Sequence, residues 1–337
     1  MANAKKLPSG NWRALASKTI NGERVRKSFT ASTKKEAEFL AAKWQMEVEE
    51  SQDINNITLH DAFIRYIESK EHLLSPATVR EYYRTANSHL ESIMDIKISK
   101  LTQEKIQIAI DLESIKLSSK TVHNIHGLLS ATLGMFRKDF KLNTQLPQPK
   151  TFEPNVPTEE NISKLLESVK GTDLEKAIYL AALGPMRRGE VCALTSDDIS
   201  GCTITVNKSM VSDKNKNWIV KSPKTTAGTR EITYPKFVIN LFEGCEGKLV
   251  YYNPNSLYKA FKRALKKCGI PDCRFHDLRH YGASILHALQ YPDKYIMARG
   301  GWKTKTMLDK IYKHALKEKQ KEFDLIANSH FEQIYNK

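Results

Sequence analysis

The chain has 337 residues, 40 % apolar and 27 % charged, which supplies core for two or three domains and excludes wholesale disorder. Lysine and arginine number 53 against 38 aspartates and glutamates; the net +15 favours a polyanionic partner, nucleic acid before an anionic membrane surface. The longest apolar stretch, near 177–186, is about half the ~20 residues of a membrane span, the N-terminus has no signal-peptide core, and the five cysteines form no Cys-x-x-Cys pair; the expectation is a cytoplasmic protein with neither a disulfide framework nor a zinc ribbon.

Residues 1–35 hold nine lysines and arginines against Glu23 alone. Within them 11–17 and 24–29 read as short strands joined at Asn21-Gly22, where both positions tolerate positive φ. Thr33 reads as the N-cap of a helix over 34–50. A small sheet plus one helix with basic residues on its strands (Arg13, Lys18, Arg24, Arg26 and Lys27) is the expected first domain, 1–55, and can enter a DNA groove. Residues 56–145 read as a helical bundle, with helices over 60–69, 76–90, 102–112 and 119–140; Ser75-Pro76 is an N-cap followed by proline at the first helical position. Charges nearly balance there, so DNA affinity in this domain rests on placement. Pro147, Pro149, Pro154 and Pro157 interrupt any helix, giving a linker over 146–157.

The last domain, 158–337, reads as mainly helical with a small antiparallel sheet: helices over 158–169, 176–183, 188–194, 256–268, 276–288, 291–299 and 306–311, and strands over 202–206, 218–221 and 229–234. The fold class expected for the whole is multidomain α+β.

This last domain has no nucleotide-binding glycine loop and no His-Glu-x-x-His, so neither ATP nor a metal or other cofactor is expected. Four short segments stand out. In Gly184-Pro185-Met186-Arg187-Arg188-Gly189-Glu190 an arginine enters a helix with a carboxylate three residues on, which suits a guanidinium held ready for a phosphate. Pro223-Lys224-Thr225 lies in an expected hairpin turn with Arg230 behind it, and alone it reads as a solvated lysine. His276-Asp277-Leu278-Arg279-His280 places two imidazoles and a guanidinium near one helical face. Gly300-Gly301-Trp302 is followed ten residues after the tryptophan by Tyr312. Taken singly, each is as well explained by packing or a solvated surface.

Their order weighs more than any one of them. Arg187, Lys224, His276-x-x-Arg279, Trp302 and Tyr312, in that sequence, resemble the tyrosine recombinase family, in particular phage and mobile-element integrases of Gram-positive bacteria. The basic N-terminal segment, with Gly10-Asn11-Trp12 and Lys27-Ser28-Phe29, is similar to their arm-type DNA-binding domain, and the helical middle to their core-binding domain. The resemblance implies cutting and rejoining of DNA through a 3′-phosphotyrosyl intermediate, to integrate or excise an element. Tyr312 would be the nucleophile, Arg187 and Arg279 the phosphate clamp, Lys224 the general acid and His276 a proton-transfer or phosphate-binding partner. Trp302 stands where the family more often has histidine, so it would donate an indole N–H without acting as acid or base. Glu190 and His280 would support these groups from behind. Arg188, Lys221, Tyr281, Tyr291 and Tyr295 are neighbours that fit the pattern less well. The partners implied are double-stranded attachment-site DNA and a homo-tetramer assembled on it, with an excisionase and a host DNA-bending protein as candidates. The resemblance also implies a place at the nucleoid of a bacterial host. A binder that has lost catalysis, or a DNA-relaxing topoisomerase of the same fold, are the alternatives.

Overall fold

A computed structural model describes residues 3–20, 23–149, 155–222, 229–306, 308, 309 and a few tail positions (325, 328, 329 and 332–334). The chain divides into two compact units, Met1–Lys150 and Thr151–Lys337.

The first unit opens with three antiparallel strands, β1 (Lys5–Lys6), β2 (Trp12–Ile20) and β3 (Glu23–Ala31), and helix α1 (Lys34–Asn56). Side chains alternate across the sheet. On one face Ala14 and Ala16 pack on Ala37 and Ala41 of α1, and the Phe29 and Trp44 rings lie 6.0 Å apart. The strands run longer than expected, and the Asn21-Gly22 turn lies outside the described residues. Helix α1 continues past residue 50 through a polar stretch without an apolar stripe, which is why its end was not legible.

Next come α2 (Leu59–Lys70), α3 (Pro76–Ser88), α4 (Glu91–Met94), α5 (Gln103–Lys116) and α6 (Ser119–Phe136) around a core that includes Phe63, Ile67, Ile106, Ile110, Ile125 and Leu129. Thr58, Ser75, Thr102 and Ser118 each cap a helix by accepting the amide three residues on. Helix α6 stops four residues short of the expected 140. Arg137 leaves it to donate to the carbonyls of Ile98 and Leu101, at 2.7 and 2.9 Å, and to stack on Phe140. Residues 141–146 do not run free: Gln103 and Gln107 of α5 exchange hydrogen bonds with the main chain of Lys141, Asn143 and Gln145, and Leu142 and Leu146 join the core.

The second unit contains α7 (Glu159–Ser168), α8 (Asp173–Leu183), α9 (Arg188–Val191), β4 (Ile199–Ser200), β5 (Thr203–Val206), β6 (Ser209–Ser212), β7 (Trp218–Lys221), β8 (Arg230–Thr233), α10 (Lys236–Asn240), α11 (Pro254–Lys267), α12 (Asp277–Ala288) and α13 (Asp293–Gly300). The expected hairpin between 218–221 and 229–234 is not what forms. β7 pairs with β6, and β8 pairs with β5 in a sheet ordered β4-β5-β8. The Asp213–Asn217 turn decides this. Asp213 N–H donates to the Asn217 carbonyl and its carboxylate accepts the Asn217 amide, folding β6 onto β7. Helix α9 is a single turn rather than the expected 188–194.

Helices α8 and α12 cross in close contact: a Cβ at Gly282 would come 2.1 Å from the Ala182 carbonyl oxygen. Beyond α13, the helical Leu308 is buried with Ala283, Ile296 and Trp302. No helix among the described residues is long and apolar enough to cross a membrane.

Candidate active site

The site grows from the end of α8. Thr172 caps that helix, its apolar face fills the core, and after Leu183 the chain turns through Gly184 and Pro185 to the buried Met186. Arg187 is the N-cap residue of α9, with extended backbone, and both its bonds to Glu190 run one way. The Arg187 amide donates to Glu190 Oε2 and its Nη1 to Glu190 Oε1, both at 2.8 Å. Two bonds therefore join Arg187 to the carboxylate three residues on. The Arg187 side chain is 41 % exposed while that of Glu190 is 8 % exposed, so the carboxylate lies inside and the guanidinium reaches out.

Arg230, at the start of β8, reaches the same carboxylate: its Nη2 is 2.8 Å from Glu190 Oε2 and its Nη1 3.3 Å from Oε1. Burial pushes the Glu190 carboxyl up, but the hydrogen bonds and charge of Arg230, then those of Arg187, outweigh it and hold the group below its ordinary range.

Arg279, on α12, is the largest of the fully buried side chains among the described residues. Its Nη1 donates to the carbonyls of Pro185 and Gly300, its guanidinium lies 3.9 Å from the centre of the Trp302 ring, and its Nη2 is buried with no hydrogen-bond partner. Burial, then the charge of Arg187, lowers its hold on the proton while Glu190 opposes them; a guanidinium remains charged through this.

The end of α13 joins these arginines. Its last carbonyls accept in succession: Arg299 from Arg230 Nε at 2.9 Å, Gly300 from Arg279, and Gly301 from Arg187 Nη2 at 3.0 Å. A helix C-terminus presents unpaired carbonyls and the negative end of its dipole, a suitable seat for cations. Gly301 closes the helix at φ 68°, where a side chain would be strained. The Arg299 side chain in turn donates to the carbonyls of Leu183 and Thr233, tying α8 and β8 to α13.

His276 stands at the N-cap position of α12 without a side-chain capping bond, its ring edge-to-face with His280 at 4.9 Å. Enclosing protein, then Arg279, pushes His276 down to about 4. Burial, then His276, does the same to His280, whose Nδ1 is buried without a partner and whose Nε2 lies 3.9 Å from Asp277. Both rings are neutral at neutral pH.

Arg187, Glu190, His276, Arg279, His280 and Trp302 are thus gathered in one place. Lys224 and Tyr312 lie outside the described residues. Three guanidiniums against one carboxylate leave a surplus of positive charge beside a neutral imidazole. The sequence of this unit matches the phage integrase family over residues 155–319.

Residues 155–319 are a phage integrase family domain, and the protein is a tyrosine-type recombinase.

A XerC-like tyrosine recombinase of Caldanaerobacter subterraneus is 26 % identical to it over 88 % of this chain and 90 % of its own. The Tn1549 transposon integrase (residues 82–397), solved with transposon right end DNA, has the same fold at a TM-score of 0.63 and 19 % identity, covering 79 % of this chain and 99 % of that one. A lambda integrase tetramer bound to a Holliday junction matches at a TM-score of 0.59 and 16 % identity, covering 90 % of this chain and 96 % of that one.

Two arginines of this recombinase escaped sequence reasoning. Arg230 counted only as context for Lys224, and Arg299 not at all. Their partners, one carboxylate and several carbonyls, lie 40 to 116 residues away, and a carbonyl leaves no mark in a sequence. Trp302 differs in another way: it is 6 % exposed and serves as the shelf beneath Arg279. Of the neighbours set aside, Arg188 lies 5.5 Å from the centre of the Tyr258 ring.

The N-terminal basic residues separate by face. Arg13, Arg24 and Arg26 pair with Thr30, Thr19 and Ser17 on the side away from α1, where Leu15 is 66 % exposed. Lys18 and Lys27 pair with Val25 and Ala16 on the other side, and the Lys27 Nζ lies 5.7 Å from the centre of the Phe29 ring. Among the described residues no cluster of three or more His, Cys, Asp or Glu could hold a metal ion.

Proposed function

We propose that this site-specific recombinase cleaves attachment-site DNA with Tyr312 as nucleophile, and that Arg187 and Arg279 hold the scissile phosphate. The observation that carries this reading is the pair of guanidiniums. One is half-exposed on a buried carboxylate, and the other is fully buried with Nη2 unsatisfied. A buried unpaired N–H of a cation is costly, and a phosphate oxygen is the acceptor that suits it.

The Tyr312 oxygen attacks phosphorus and the bond to the 5′-oxygen breaks. The tyrosine proton passes to the neutral His276, and Lys224 gives a proton to the departing 5′-oxygen. The products are a 3′-phosphotyrosyl bond and a free 5′-hydroxyl, so one ester replaces another and rejoining needs no nucleotide. In the pentacoordinate transition state the phosphoryl charge rises from about −1 toward −2, and the surplus of two positive charges left by Arg187, Arg230 and Arg279 over Glu190 matches it.

The substrate is double-stranded DNA, bound by a homo-tetramer when two sites exchange strands. The open face of the N-terminal sheet, carrying Arg13, Arg24 and Arg26, supports a second DNA site and therefore integration rather than relaxation. In the helical domain, an open groove between α3 and α6 lined by Thr78, Arg84, His123 and Asn124 supports contact with the core site. The candidate accessory partners are an excisionase and a host DNA-bending protein, and the expected place of the reaction is the nucleoid of a bacterial host.

The test is a nicked attachment-site substrate incubated with the protein in excess chelator. Wild type is expected to give an SDS-resistant protein–DNA adduct. Tyr312→Phe is expected to bind the same DNA and give none; an adduct that persists in that variant overturns the nucleophile.

A further inference from the structure

Glu190 has more donors than Arg187 requires. Its two oxygens accept four hydrogen bonds: the amide and Nη1 of Arg187, and Nη1 and Nη2 of Arg230. That fills the acceptor capacity of a carboxylate, about four lone-pair sites. Arg230 is itself 8 % exposed and is fixed at its third nitrogen by the Arg299 carbonyl, so it cannot turn away to bind DNA. A buried arginine spent wholly on protein groups, inside a site that must concentrate positive charge on a phosphate, calls for a role other than phosphate contact.

We propose that Arg230 is a positioning residue for strand cleavage: by sharing the Glu190 carboxylate it keeps Arg187 in place without neutralising it, so that Arg187 presents its charge to the phosphate. This rests on the reading of Arg187 as part of the phosphate clamp.

A lone buried carboxylate paired only with Arg187 would form a closed ion pair and cancel the charge the transition state needs. With Arg230 present, the pair becomes a triad with a net positive charge, and Glu190 acts as a hinge post rather than a counter-ion. Arg230 also keeps that post ionised. The charged and titratable groups acting on Glu190 are Arg187 on its own element, Arg230 on β8 with Tyr234 just beyond the strand, and Arg279 on α12. Helix α11, also packed on α9, meets Arg188 through Tyr258. Arg230 is foremost among the influences that lower the Glu190 pKa against its burial. Without Arg230, burial pushes Glu190 upward, and on acidification a protonated Glu190 loses its charge and part of its acceptor capacity, and so loosens its hold on Arg187.

The experiment is single-turnover cleavage of a nicked core-site duplex, measured against pH for wild type, Arg230→Met, Arg230→Lys and the double variant Glu190→Gln/Arg230→Met. DNA binding serves as the check of folding, and if Arg230→Met fails it, Arg230→Lys carries the comparison. Arg230→Met is expected to bind as wild type does and to cleave about 100-fold more slowly, the scale of a misplaced catalytic group. Its rate is expected to fall further on an acid limb that wild type lacks. Arg230→Lys, which keeps the charge but not the fork, is expected to lie between. The double variant is expected to lose the acid limb, because nothing titrates at position 190. A substrate with sulfur at the bridging 5′ position, whose departure needs no general acid, is expected not to restore the Arg230→Met rate.

Wild-type rate and pH profile in Arg230→Met overturn the proposal. So does a slow variant with a flat acid range, which would mark Arg230 as structural only, and so does full rescue by the sulfur substrate, which would move its action to the leaving group. A wild type that forms no adduct overturns the reaction itself, and this assignment with it.

Discussion

Arg279 holds a position that a soluble protein rarely gives an arginine: at 1 % exposure it is within the range of the core phenylalanines, stacked on Trp302 and pinned to two carbonyls. Burial on this scale costs a great deal unless the charge is used. The same enclosure acts on His280, one turn behind His276, and has a consequence for stability. Its folded pKa, about 4, lies below the unfolded value near 6.5. Above 6.5 both states are neutral and the shift adds no pH dependence. As pH falls through this window the unfolded chain takes up the proton first, so stability declines from about pH 6.5 toward 4. We predict a melting temperature that drops across that window and a shallower drop in His280→Gln, checked by thermal denaturation of both proteins in a pH series; equal slopes would remove His280 from the effect. At this scale the sequence was most legible where partners are neighbours. Arg187 and Glu190, three apart at a helix start, could be paired from their spacing alone. Arg230 could not, because its carboxylate lies 40 residues upstream and is brought to it by the pairing of β5 with β8.

At the scale of elements, capping and periodicity carried most of the reading. Thr33 and Ser75, read as caps, accept the amide three residues on, and Thr58, Thr102, Ser118 and Thr158 do the same. The elements that escaped it were short or dictated from afar. β4 has two residues, β6 is a four-residue strand flanked by serines, and α10 is one turn after a proline. A pattern of two or four residues is too brief for periodicity to register. Register also turned a set of basic residues into an arrangement, with Arg13, Arg24 and Arg26 on the open face of the N-terminal sheet and Lys18 and Lys27 on the face toward α1. We predict that Arg13→Ala, Arg24→Ala and Arg26→Ala each weaken binding to arm-type DNA and reduce the slope of log K against log salt by about 1 for each phosphate no longer neutralised, whereas Lys27→Ala leaves the slope nearly unchanged. Titrations at several salt concentrations would show this, and a larger slope change in Lys27→Ala than in the arginine variants would contradict the face assignment.

At the scale of the whole molecule, the surplus of positive charge has two different uses. In the first 35 residues it is largely exposed on a sheet, a distribution suited to attraction and sliding. In the second unit a few cations are buried or half-buried around Glu190, where a low dielectric makes each act strongly on one phosphate. Composition announced a polyanionic partner, and the order of four motifs announced the chemistry. What neither could show is how the end of α13 gathers three arginines on consecutive carbonyls, since main-chain acceptors are the same in every sequence. On the proposed reading this gathered charge serves a tyrosine nucleophile, and the chain has thirteen tyrosines. The most direct measurement is mass spectrometry of the peptides released from the protein–DNA adduct after nuclease and protease digestion. A nucleotide joined through its 3′-phosphate to Tyr312 is the expected product. A nucleotide on Tyr281, Tyr291, Tyr295 or any other residue, or a 5′ linkage, would contradict it.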